Sequence, residues 1–291
     1  MEKTYQIITD ATADLNAELM KESGLEMLPM DVEIEGKRYS YAPVGGDLGE
    51  AEFYRALQAG KRASTSQINP LVYESCFERF LKAGMDVLYV CFTSGLSGTI
   101  MAAQTCMEEL RERYPERKLI CVDSLCASAG EGLLARRAAK MQREGHSLEE
   151  TAAWLEENRL HVCHWFTVDD LQHLRRGGRI SAATAIVGTA LQVKPILRVD
   201  ETGHLENVDK VRGRRRALSA LVERFDETWA PELDGTVMLG HGACLEDAEF
   251  VAGQLRERHP GIEIDIVYMG PIIGAHTGPG TVALLYWGSK R

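Results

Sequence analysis

An α/β protein built in two halves is what this chain predicts, and three observations carry that reading. Strand and helix signals alternate from residue 5 onward, the pattern of a Rossmann-like, mostly parallel sheet. The apolar run at residues 87–92 (Val-Leu-Tyr-Val-Cys-Phe) reads as a buried parallel strand. It is followed by Thr93-Ser94-Gly95-Leu96-Ser97-Gly98-Thr99 and then by a helix start at 100–104. A second series of strands and helices begins near residue 160, with no low-complexity linker and no internal repeat. Residues 1–159 are therefore expected to form an N-terminal α/β domain and 160–291 a C-terminal α/β domain, packed directly with a ligand crevice between them.

Each element has a local reason. Residues 5–9 read as a first strand ending at Asp10, and Asp14 as the N-cap of a helix through Leu15, Leu19 and Met20 that stops at Gly24. Residues 28–34 and 36–41 are extended, a hairpin turning at Glu35-Gly36. Helices follow over 52–58 and 71–83, the second with Pro70 at its start. After strand 87–92 a long helix reaches Tyr114, and strand 119–122 ends in Asp123-Ser124. Helices over 132–143 and 148–158 close this half, Ser147 and Glu150 forming a capping box. In the second half, strand 162–168 leads into a helix and the cluster Arg175-Arg176-Gly177-Gly178-Arg179. The apolar, small-residue stretch 182–193 precedes 194–197, a strand pair around Gly203 and a basic helix over 212–224. The last set comprises a strand at 237–239, a helix at 248–258 and strands at 262–269 and 282–286. Residues 270–280, rich in glycine and proline, read as a loop with unusual backbone angles.

Composition narrows the function. Hydrophobic residues make up 45% and charged residues 26%, a soluble globular balance. Charges break the apolar stretches too often for a membrane span, and no signal peptide is visible at Met1-Glu2-Lys3-Thr4. A net charge of −10 argues against broad nucleic-acid binding. Seven cysteines, among them Cys76, Cys91, Cys121 and Cys163 in apolar settings, lack C-x-x-C spacing and fit a reducing cytoplasm.

The loop over residues 94–99 is the strongest candidate site. It lies between a strand end and a helix amino terminus, where open α/β sheets bind ligands and where backbone N–H groups meet the helix dipole. Four hydroxyls and two glycines exceed what one cap needs. The loop has no lysine, so it suits a carboxylate better than a nucleotide triphosphate. Residues 10–14, 65–67 and 123–124 are expected to converge on the same sheet edge, although Asp14 and Ser124 are better explained as cap and turn residues. His276 either holds an anion or bonds a carbonyl, and His241 is a weaker candidate. Neither has partners at metal-ligand spacing. The basic clusters at 175–179 and 212–216 lack interleaved aromatics for base stacking, so they suit a partner protein better than RNA. A hydrolase reading wants the elbow G-x-S-x-G, which Gly95-Leu96-Ser97-Gly98 matches only in part.

Taken in order, Thr9-Asp10-Ala11-Thr12-Ala13-Asp14-Leu15, Thr65-Ser66-Gln67, the 93–99 loop, Asp169-Asp170-Leu171, residues 174–181, Val193-Lys194-Pro195-Ile196-Leu197, Lys210-Val211-Arg212 and Gly274-Ala275-His276 span nearly the whole chain. They resemble the DegV family, the lipid-binding acyl carriers of bacterial fatty-acid kinase. The resemblance implies two α/β domains with one long-chain fatty acid in a tunnel between them. Its carboxylate would be held by Thr65 and Ser97 with His276 as a supporting donor, and Ser94 and Gly95 belong to the same hydroxyl loop. Residues 182–193 and Ile272-Ile273 are candidate tunnel walls. The resemblance further implies no cofactor and no catalysis of its own. A separate ATP-binding kinase subunit would dock on Arg179 and Arg212 and form an acyl phosphate. Two positions depart from the family pattern: Ala11 stands where Ser is usual, and Ile68 replaces the usual Pro, which appears instead at Pro70. The alternative from another class is a small-acid kinase or hydrolase using residues 94–99. The missing P-loop lysine and the lack of a carboxylate pair for magnesium count against it.

Overall fold

The computed structural model describes residues 3–181 and 192–291. Strand β1 (Tyr5–Asp10) is buried throughout. Helix α1 (Ala17–Ser23) is capped by Asn16, whose side chain accepts from the Leu19 amide, and it ends at Gly24 with φ +65°. Asp14, expected to be that cap, instead reaches across the molecule. Strand β2 (Glu26–Leu28) is followed by the hairpin β3 (Met30–Ile34) and β4 (Lys37–Tyr41). The turn falls at the expected Glu35-Gly36, both at positive φ (50° and 81°), as a two-residue type I′ connection requires. Then come α2 (Glu50–Gln58), β5 (Ala63–Thr65) and α3 (Pro70–Lys82), the last capped by Asn69 with Pro70 in its first turn. Strand β6 (Asp86–Cys91), α4 (Thr99–Arg113), β7 (Leu119–Asp123), α5 (Ala129–Arg143) and α6 (Leu148–Asn158) complete this half. The Ser147–Glu150 capping box is formed in both directions.

These strands make a wholly parallel sheet in the order β2-β1-β6-β7 and a small antiparallel one in the order β4-β3-β5. The strand ends after Asp10, Cys91 and Asp123 therefore lie side by side. Backbone bonds tie them together, from Ser124 N to Cys91 O and from Thr93 N to Cys126 O.

The second half consists of β8 (Val162–Thr167), α7 (Gln172–Arg176), β9 (Val193–Val199), β10 (Leu205–Arg212), α8 (Arg214–Thr228), β11 (Val237–His241), α9 (Leu245–Arg258), β12 (Ile264–Tyr268), α10 (Pro271–Thr277) and β13 (Val282–Trp287). Its sheet runs β10-β9-β8-β13-β11-β12, with only β11 and β12 parallel. The 270–280 segment is thus not a plain loop. Pro271 starts a short helix, and the unusual angles fall after it, at Gly278 and Gly280. The proposed tunnel wall at 182–193 lies outside the described residues from 182 to 191.

Helix α5 explains how the halves are joined. It packs on β1 and β6 of the parallel sheet and on β8, β11 and β13 of the mixed one. One apolar cluster consequently runs from Tyr5 and Leu88 through Leu134 to Leu285 and Trp287. Among the described residues no helix is long and apolar enough to cross a membrane.

Candidate functional site

A cavity of about 70 Å³ lies where the loops after β1 and β6 meet β5, α7 and α10. Its walls are apolar, including Met30, Phe92, Leu96, Leu174, Ile272 and Ile273. Its polar lining is Thr12, Thr65, Ser97, Thr99, Arg179 and His276. Three of the expected ligand-binding residues, Thr65, Ser97 and His276, are thereby brought together. They come from β5, from the loop before α4 and from α10.

Two hydrogen bonds organise the polar end. His276 Nε2 lies 2.8 Å from Thr65 Oγ1, while the buried Nδ1 has no partner among the described residues. If Nδ1 carried the proton, an unpaired N–H would be buried, so the tautomer that satisfies the site is Nε2–H donating to Thr65. The Thr65 hydroxyl proton is then free to point into the cavity. Burial, with the nearby Arg179 guanidinium adding to it, pulls His276 down from 6.5 to about 4, so the ring is neutral at physiological pH. On the other side, Ser97 Oγ lies 2.7 Å from Thr99 Oγ1 and accepts from the Thr99 amide at 3.3 Å. When Thr99 donates both bonds, the Ser97 O–H is also free. The pair stands at the amino terminus of α4, where partial positive charge accumulates. The site thus offers two hydroxyl donors and a guanidinium to an anion, beside an apolar wall.

The remaining candidates have other partners. Ser94 is exposed, and its amide donates to Asp123 Oδ1 at 3.1 Å. Gly95 packs against the turn between β9 and β10, where a Cβ would meet Gly203 C and O at 2.6 Å. Neither lines the cavity among its described residues, because the loop turns its first two residues outward to receive that turn. Arg179, expected to face a partner, lines the cavity, and its guanidinium donates to Gly177 O. Arg212 is exposed at the end of β10. His241 is buried against Tyr268 rather than in the cavity. Ser124 shapes its own turn, accepting from the Cys126 amide. Thr12, Thr99 and Leu205 also line the site. Thr12 and Thr99 sat within motifs already visible in the sequence, whereas nothing local marked Leu205.

Ser97 bonds Thr99 while His276 bonds Thr65, so the site holds no Ser–His relay. Among the described residues no cluster of His, Cys, Asp or Glu could hold a metal ion. A second, outward groove of about 430 Å³ reaches His276 from solvent, lined by Lys61, Arg62, His173 and Arg176 together with Glu33 and Glu35.

Comparison with known proteins places this geometry in context. A family model described as "Uncharacterised protein, DegV family" matches residues 4–288. A DegV domain-containing protein of Clostridium perfringens is 38% identical over 289 residues, 99% of each chain. Among solved structures, a DegV lipid-binding protein from Thermotoga maritima superposes with a TM-score of 0.85 at 26% identity, covering 99% of both chains. DegV of Bacillus subtilis, described as a fatty-acid-binding protein, gives 0.84 at 28% identity with the same coverage. Both structures are described by what they bind, not by a reaction.

Proposed function

The chain belongs to the DegV family, and on that premise we propose that it binds one long-chain fatty acid, its carboxylate held by Thr65 and Ser97 with His276 in support. The observation that carries this reading is the meeting of the Thr65 and Ser97 hydroxyls and His276 in the lining of one apolar cavity. The tail supplies most of the affinity, at about 0.8 kcal/mol for each methylene buried. The head group must still be satisfied, since an unpaired buried carboxylate costs several kcal/mol. Arg179 supplies charge at the same end, a role beyond the docking one that the resemblance implied. Ser94 and Gly95 contribute by shaping the loop. The cavity of about 70 Å³ is smaller than the ~300 Å³ at the low end of ligand pockets. A long tail therefore enters by parting side chains such as Ile272, Ile273 and Leu174.

The test is lipid retention by the Ser97→Ala protein. Loss of one hydrogen bond to a charged group lowers retention roughly 10- to 100-fold while the fold is kept. Retention equal to the unaltered protein removes Ser97 from the assignment.

In this reading the bound carboxylate is presented to a separate ATP-binding kinase. The outward groove at His276 supports it, because it gives a partner a route to the head group from solvent. Arg212 lies exposed for docking. The protein alone is expected to leave ATP intact when loaded with fatty acid. ATP turnover by the isolated protein favours the small-acid kinase alternative instead.

A further inference from the structure

Behind the cavity lie three buried carboxyl groups, of which Asp10 and Glu131 share one threonine while Asp14 stands apart on partners of its own. Glu131, in the first turn of α5, touches Thr9 Oγ1 and Thr12 Oγ1, both at 2.7 Å. Asp10, at the end of β1, touches the same Thr12 Oγ1 at 2.5 Å, accepts from the Thr12 amide at 3.0 Å and from Tyr89 O–H at 2.6 Å. Asp14 accepts from Ser128 Oγ and from Gly270 N. The titratable groups facing this cluster are Tyr89, Cys91 and Tyr73 on the Asp10 side, Cys126 on the Glu131 side, and Glu50, Tyr41 and Tyr54 on the Asp14 side. No lysine or arginine forms an ion pair with any of the three carboxyls among the described residues.

Proton counting decides the state of the pair. The Thr12 hydroxyl has one hydrogen and contacts two carboxyl groups, so it donates to one and must accept from the other. Asp10 receives two backbone N–H groups, from Thr12 and from Phe92, against one on Glu131, from Asp10 itself; an N–H can only donate, so the balance favours the charge on Asp10. The side-chain partners of Glu131 are two hydroxyls, which can accept. The helix amino terminus favours a charge on Glu131 only weakly against the cost of burying one unpaired. Burial raises both carboxyls, Glu131 well above its ordinary value.

We infer that Glu131 is an un-ionised acid donating to Thr12, that Thr12 donates to Asp10, and that this relay positions the loop after β1 where Thr12 lines the cavity. Glu131 is thus a positioning residue acting through Thr12. Its effect on binding rests on the fatty-acid reading; its protonation does not. The relay also uses up the Thr12 hydroxyl, leaving the ligand to Thr65 and Ser97.

The experiment combines infrared spectroscopy with lipid retention. In the unaltered protein at neutral pH, an un-ionised carboxylic acid carbonyl band is expected to shift on labelling with 13C-glutamate and to vanish in Glu131→Gln. A bound fatty acid or a protonated aspartate gives no such shift. Absence of a glutamic acid band in the unaltered protein overturns the inference, and needs no variant to fold. For retention, Glu131→Ala is expected to lose about tenfold and Glu131→Gln to restore it, because its amide N–H still donates to Thr12. A Gln protein as poor as the Ala protein overturns the positioning role. If even the unaltered protein holds no lipid, the fatty-acid reading fails while the infrared band still decides the proton.

Discussion

Thr65 and His276 stand 211 positions apart in the chain and 2.8 Å apart in space. The hydroxyl runs at 65–67 and 94–99 were legible in the sequence because hydroxyls after strands are a local signal. The pairing of Thr65 with His276 was not, since it depends on how β5 and α10 meet. Asp14 shows the same limit. Its short acidic side chain before a helix looked like a cap, yet Asn16 two residues on fills that role and Asp14 bonds Gly270 instead. Burial outweighs the bonds from Ser128 and Gly270 and pushes Asp14 up from 3.8 to about 8. Across that window the folded chain keeps a proton that the unfolded chain has released, so this group lowers stability as pH rises from 3.8 to about 8. His276 acts oppositely. With its value depressed from 6.5 to about 4, its contribution is complete above 6.5 and is lost as pH falls toward 4. Asp14→Asn is therefore expected to remove this group's downward pull on Tm as pH rises from 3.8 to about 8. An unchanged slope contradicts the buried-acid account of Asp14.

At the scale of elements, periodicity and caps located most strands and helix boundaries to within a few residues, though β5 is too short to show a pattern and Pro29 separates β2 from β3. The exceptions have structural causes. Helix α5 begins at Ala129, three residues before the expected start, because its first turn is anchored by long-range contacts: Ser128 donates to Asp14, and Glu131 binds Thr9 of β1 and Thr12 in the loop after it. The segment carrying His276 looked irregular because glycine and proline dominate it. Pro271 nevertheless suits a first helical turn, and Gly274 sits where a Cβ would strike the Tyr54 hydroxyl at 2.5 Å. Gly95 lies at a tight junction between the two halves, its Cα facing the backbone of the β9–β10 turn. Gly95→Ala is expected to destabilise the protein by about 1–3 kcal/mol through a forced backbone shift, measurable by denaturant unfolding. An unaltered midpoint would show that the turn is free to move away.

For the molecule as a whole, the alternation of elements conveyed the α/β class and the parallel first sheet. It did not convey that α5 lies between both sheets, because a helix buried on two faces differs from an amphipathic one mainly by its run of small and apolar residues, here Gly130, Gly132, Leu133, Leu134 and Ala135. That shared helix brings the loops after β1 and β6 against α7 and α10, and the cavity forms at this junction. A site made by both halves suits a ligand that must be enclosed, with an apolar body and one polar end. The most direct measurement is organic extraction of the freshly purified protein followed by mass spectrometry of the extract. The account predicts a long-chain fatty acid in near-stoichiometric amount. An extract that stays empty even after incubation with added fatty acids would contradict it and point to a small polar acid at Thr65 and Ser97.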